Sequence, residues 1–355
     1  MAFSQYFTTL WSRIKQASTF VPAYFRIPDE NTDLPSGETS QFDERRHYFM
    51  ISVNEMYLSY KREWHKSFSP MVFSVCNFKY DGKELEIPFA ISPGFLQKYK
   101  QEVPGGMLFL NTPVVGLFPW RGGNVSLSLI LSRIPQADVA EKMIDVIGEI
   151  SGSLSFAAGI ESYTRISRVL LNGINSLMGF QQTQPILGVN NNFGMAAGNP
   201  FRPGYHALIH SENPDKKKFW VKENALYYGN SLESAIPYRD DDYVLFRIGI
   251  SDKRHDLESL SFYKEYREIF DFLEHQDVIT HKEKELLRPK ILHLAVAIKR
   301  SPDLTWEQAN QIHDTMIEDI NLTVEKFSKL DGEHEIKGMN QTDTIMDETL
   351  QMLKF

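Results

Sequence analysis

Val244-Leu-Phe-Arg-Ile-Gly-Ile250 decides the fold. Val244, Phe246, Ile248 and Ile250 recur every second residue, which is the period of a half-buried β-strand and not of a helix. Working back along the chain, the same rhythm is found in Val125-Ser-Leu-Ser-Leu-Ile-Leu-Ser132 and in Tyr205, Ala207 and Ile209. It recurs in Leu85, Ile87 and Phe89, and in Phe49, Ile51 and Val53. After Val53 the apolar set moves to Met56, Leu58 and Tyr60, so the parity slips near Asn54-Glu55 and a bulge is predicted there. Asp81-Gly82 is a two-residue hairpin turn. Met107 to Leu110 reads as a short strand, Leu117 to Gly123 as a tight glycine-dependent loop, and Gly188 to Pro203 as an Asn- and Gly-rich loop. Phe219 to Val221 and Leu226 to Tyr228 complete the strands.

Beyond residue 255 the spacing changes to three or four. One helix is predicted over Leu257 to Leu273. A second begins at the capping box Thr280-His-Lys-Glu283 and runs through Ile291 to Ile298, where it is apolar nearly all round and so expected to be buried. A third opens at Thr305-Trp-Glu-Gln308 and continues to about Leu330. Inside the β-rich part, Val139, Met143, Val146, Ile147 and Ile150 share a helical stripe, and a second helix follows to about Met178.

The expected fold is therefore α+β: an antiparallel sandwich- or barrel-like body with an inserted helical pair, followed by a three-helix bundle. Its parts are an amphipathic arm and polar linker (1–42), the body (43–255, insertion at about 137–179), the bundle (256–330) and an acidic tail (331–355).

The chain has 355 residues, a formal net charge of −8 and a single cysteine, Cys76. The acidic balance argues against general nucleic-acid binding, which rests on clustered Lys and Arg. One cysteine excludes an intramolecular disulfide framework and any multi-cysteine zinc site, so a reducing, cytoplasmic compartment is expected. No apolar run is long enough for a transmembrane helix.

Reactive side chains do not gather at a catalytic spacing. His206 and His210 share a strand face but lie roughly 13 Å apart, too far for one zinc. Asp240-Asp-Asp242 and the pair Asp252 and Asp256 flank one strand, and read as solvated charge that protects strand ends. Cys76 lies in an alternating strand and reads as a packed thiol. Arg121-Gly-Gly-Asn124 opens a strand instead of a helix and lacks the lysine of a phosphate loop. Lys216-Lys-Lys218 reads as a solvated turn. No cofactor or metal is expected.

Two features point to binding. Phe3, Phe7, Leu10, Trp11 and Ile14 recur at helical spacing beside Arg13 and Lys15, giving an amphipathic helix. It can lie on a membrane surface, serve as an organelle transit segment, or dock its aromatic face on a partner or on its own domain. Trp120-Arg121, in the Leu117 to Gly123 loop, has the composition of an interface hot spot; the alternative is a Trp folded back on the core. The expectation is a non-enzymatic interaction or scaffold component of a protein assembly, with Phe3, Phe7, Trp11, Trp120 and Arg121 as contact residues. The other two classes are a peripheral membrane protein docked through the amino-terminal helix and an enzyme whose site is assembled from distant residues.

Overall fold

In a computed structural model of the chain, the structure describes residues 8–9, 11–14, 22–35, 38, 41–59, 62–63, 66–91, 101–103, 106–135, 184–194, 198–276 and 278–329. The chain divides into two compact units, residues 1–255 and 256–355.

The strands of the first unit are β1 (Ala23–Arg26), β2 (Tyr48–Leu58), β3 (Arg62–Glu63), β4 (Lys66–Tyr80), β5 (Lys83–Ile91), β6 (Gln101–Val103) and β7 (Gly106–Pro119). They continue with β8 (Val125–Pro135), β9 (Gln184–Phe193), β10 (Gly204–Ile209), β11 (Phe219–Lys222), β12 (Ala225–Tyr228), β13 (Ile236–Pro237) and β14 (Tyr243–Ser251). They form three antiparallel sheets. The first has the order β1-β10-β14-β2-β7-β6; the second runs β3-β4-β8-β9 with β5 also on β4; the third is β11-β12-β13. The arrangement is sandwich-like, and the sheets do not close into a barrel.

The first two sheets share one core. Phe49, Ile51, Val53 and Phe246 from the first sheet meet Phe78, Leu127, Leu129 and Phe193 from the second. The opposite face of the first sheet is covered too, because Tyr57, Ala207, Ile209 and Leu245 pack on Phe219, Val221 and Leu226 of the third sheet. The first sheet is thus a middle layer. That is why β10 is buried at every position instead of alternating.

The predicted slip in β2 is a bulge. Val53 pairs with Phe246 and Glu55 with Leu245, which leaves Asn54 as the extra residue. Before it Phe49, Ile51 and Val53 face the second sheet; after it Met56 does, and Tyr57 faces the third. Asp81 and Gly82, both at positive φ, make the β4–β5 turn. A second turn of this kind, Glu223-Asn224 with φ of 52° and 65°, joins β11 to β12.

In the first unit four sequence expectations need correction. The strand at Met107 extends to Pro119, because Val115 and Phe118 pair with Ile51 and Phe49 and are buried; the glycine loop is only residues 120–124. The loop expected from Gly188 starts six residues later: β9 continues to Phe193, paired along its length with β8 despite its Asn and Gly content. The linker read over residues 29–42 is partly built into the body: Asn31 is buried and donates to the carbonyls of Lys217 and Phe219. Asp242 is not solvated charge. It is buried, and accepts from the Ser59 backbone N–H (2.6 Å) and hydroxyl (2.7 Å). The helical pair at about 137–179 and the tail at 331–355 lie outside the described residues.

The second unit holds α1 (Ser261–Glu274), α2 (His281–Lys299) and α3 (Trp306–Lys329), each in contact with the other two. Thr280 caps α2 with both reciprocal bonds of a capping box, and Thr305 Oγ1 accepts from the Gln308 N–H at 3.3 Å. The core is Phe262, Ile269, Leu273, Leu294, Ile298, Ile312 and Ile320. In the run read as apolar nearly all round, Ile291, Leu294, Ala295 and Ile298 are buried, Leu292, Val296 and Ala297 are half-buried and His293 is exposed. Leu287 and Ile291 turn inward, while Leu286 is exposed, so the helix is one-faced. Among the described residues no helix is long and apolar enough to cross a membrane.

Candidate binding cleft

Trp120 leaves the end of β7 and is pinned by its backbone N–H to the His47 carbonyl (2.8 Å). The chain can reverse immediately after it because Gly122 and Gly123 adopt φ of 70° and 86°. Phe42 comes from the segment before β2. Phe201 comes from the β9–β10 connection, which is tied back by the Gly194 N–H to the Asn199 carbonyl. The three rings sit together: Trp120 to Phe201 at 5.1 Å, Phe42 to Phe201 at 5.2 Å and Phe42 to Trp120 at 5.4 Å. Phe49 meets Phe201 edge-on from the core at 5.4 Å. This geometry favours aromatic contact beyond plain burial.

These rings border a cleft of about 490 Å³ whose rim carries Gln41, Glu44, Asn124 and Arg202. Two glycines make room for the polar side chains. A Cβ on Gly122 would stand 2.1 Å from Glu44 Oε1, and one on Gly194 would stand 2.1 Å from Asn124 Oδ1. The cleft therefore joins an aromatic wall to a carboxylate, an amide and a guanidinium, a combination that holds a ligand by apolar contact and fixes its orientation by hydrogen bonds.

Of the residues singled out from sequence, Trp120 is half-buried at this cleft and Arg121 is exposed beside it. Both readings of the Trp are partly realised: one part packs on Phe49 and Phe201, the other borders the cleft. Trp11 lies elsewhere. It and Ile14, on a short helical segment, rest on β9 at Gly188, where a Cβ would come 2.7 Å from the Trp11 ring and 2.8 Å from Ile14 Cδ1. Ile14 is buried. Phe3 and Phe7 fall outside the described residues. The sequence reading missed Phe42 and Phe201, which lie in loops and belong to no periodic pattern.

The remaining candidates are structural in their surroundings. His206 is buried against Tyr24, whereas His210 lies 3.9 Å from Asp242, so the two serve different parts of the sheet. Among the described residues no three His, Cys, Asp or Glu side chains are placed to hold a metal ion. Cys76 is fully buried, and burial pushes its thiol far above the usual range. Lys216 to Lys218 form one 3-10 turn capped by Asp215.

Comparison with protein-family models, with curated proteins and with solved structures returns no match.

Proposed function

We propose that the chain is a non-enzymatic interaction component of a multi-protein assembly in the cytoplasm, and that a partner docks at the aromatic cleft beside Trp120 and Arg121. The observation that carries this reading is the convergence of Phe42, Trp120 and Phe201, from three separate segments, on one accessible cleft with a mixed polar rim. Aromatic rings with arginine side chains beside a partly enclosed cleft have the composition of interface hot spots. A single cysteine buried within a strand suits a compartment where thiols stay reduced.

Affinity purification of the full chain from its native cells, with mass spectrometry, tests the reading. Wild-type protein is expected to carry a stoichiometric partner. Arg121→Glu and Glu44→Lys, both at exposed side chains, are expected to release it, as is Trp120→Ala. Retention of the same partner by all three variants overturns the assignment of the cleft. Recovery of the wild-type chain alone overturns the assembly.

A further inference from the structure

We propose that the edge joining the two sheets of the sandwich is an acid-opened seam, released when His206 gains a proton. The seam is a chain of side chains that crosses from one sheet to the other. Tyr24 stands on β1, at the edge of the first sheet, and Asn191 on β9, at the edge of the second. Asn191 Nδ2 donates to the Tyr24 hydroxyl (3.0 Å), that hydroxyl meets His206 Nδ1 (2.8 Å), and Asn199 Nδ2 donates to Asn191 Oδ1 (3.0 Å). Because the Tyr24 oxygen accepts from Asn191, its own proton points to Nδ1. His206 is then neutral, with its proton on Nε2.

The ring is closed in on every side. It is 4% exposed. Phe246 of β14 stacks on it at 5.1 Å, Tyr24 of β1 at 5.8 Å, and Phe193 of β9 meets it edge-on at 5.9 Å. Nε2 has no well-formed hydrogen bond, although the nearby Arg202 main chain favours the charged ring slightly. Arg26, its cross-strand neighbour on β1, is the one charged side chain in this set, and it is itself paired with Asp29. Protonation would turn the Nδ1 acceptor into a donor, strand the Tyr24 proton, and place a cation among three rings beside an arginine.

Burial first, and Arg26 second, hold the imidazole at about 3, against an ordinary value near 6.5. The closed seam is fully stable above pH 6.5. Below it the opened, solvated histidine binds a proton that the closed one refuses, so opening is favoured step by step until about pH 3. The opening constant should rise roughly tenfold by pH 5.5 and roughly a hundredfold by pH 4.5. β1 is four residues long and paired on one side only, so it can leave without unfolding the middle layer.

Hydrogen exchange of the full chain between pH 7.5 and 4.5, corrected for intrinsic exchange, reads the seam directly. Peptides covering β1 and β9 should lose protection by the factors above, while β2 and β14 hold theirs. In His206→Gln, and in His206→Phe should the first variant fold poorly, that loss should vanish. Tyr24→Phe, which keeps the titrating ring, should retain it. An equally steep acid loss in both His206 variants overturns the proposal, and so does simultaneous loss of protection across residues 23–251 in the wild type.

Discussion

Glu55, wholly buried on β2, holds Arg239 at 2.9 Å through its Oε1 while its Oε2 receives the Leu226 N–H of the third sheet. The bulge at Asn54 is what turns Glu55 toward that sheet. Burial raises the carboxyl pKa and Arg239 opposes the rise. Arg239→Met should destabilise the chain by about 3–5 kcal/mol, because it leaves a buried charge without its partner. A group whose folded pKa is raised favours folding most at low pH and loses that contribution as pH climbs through the folded value. The deficit should therefore be larger at pH 8 than at pH 5. Urea unfolding at the two pH values measures it, and an equal deficit at both would show that Glu55 is not the group left uncompensated.

Gly188 is a glycine because the amino-terminal helix comes too close for a side chain. Gly188→Ala places a methyl against Trp11, Ile14 and the Leu129 carbonyl. Overpacking of this kind costs about 1–3 kcal/mol. Where the helix leaves instead of the sheet deforming, trypsin should cut at Arg13 on the order of tenfold faster. Trp11→Ala should accelerate the same cut. Unchanged cleavage in both would mean that the contact does not hold the arm.

Cys76 should resist iodoacetamide in the native chain and react only as the sandwich opens, since a buried, protonated thiol is a poor nucleophile. Its labelling rate in urea should follow the unfolding of the first unit. Rapid labelling without denaturant would contradict its placement in the core.

Thr280→Ala should remove the bond that Thr280 Oγ1 accepts from the Glu283 N–H, leaving the backbone Thr280 N–H to donate to Glu283, and lower the stability of the helical unit by about 0.5–2 kcal/mol. The backbone and hydroxyl of Thr280 hold the Glu283 carboxyl below its usual range, so the Glu283 part of the cap is lost as pH falls through that lowered value. Thermal unfolding followed at 222 nm checks the variant; a midpoint equal to wild type would rule the cap out as a contributor.

Local signals were the legible ones. The alternation at Val244, the slip at Asn54-Glu55, the Asp81-Gly82 turn and the cap at Thr280 each depend on a few adjacent residues, and each is present. What escaped depends on neighbours distant in the chain. β9 reads as a loop because Asn and Gly disfavour strands, yet Asn191 is there to meet Tyr24 and Gly188 to admit a helix. Asp242 looks like solvent-facing charge until Ser59, far back in the chain, supplies its donors. In the cleft, Trp120 was visible by composition, but Phe42 and Phe201 acquire meaning only through the fold that gathers them.

The place of β14 between β10 and β2 bears on how the protein is made. Residues 59–242 must be synthesised after β2 before its neighbour exists, which at ribosomal speed takes on the order of ten to forty seconds. Throughout that interval one long edge of β2 is an open template for the wrong strand. A nascent chain halted between Ile209 and Tyr243 would present two unfinished half-sheets, β1-β10 and β2-β7-β6, so ribosome-bound intermediates of this protein should be strong clients of holding chaperones.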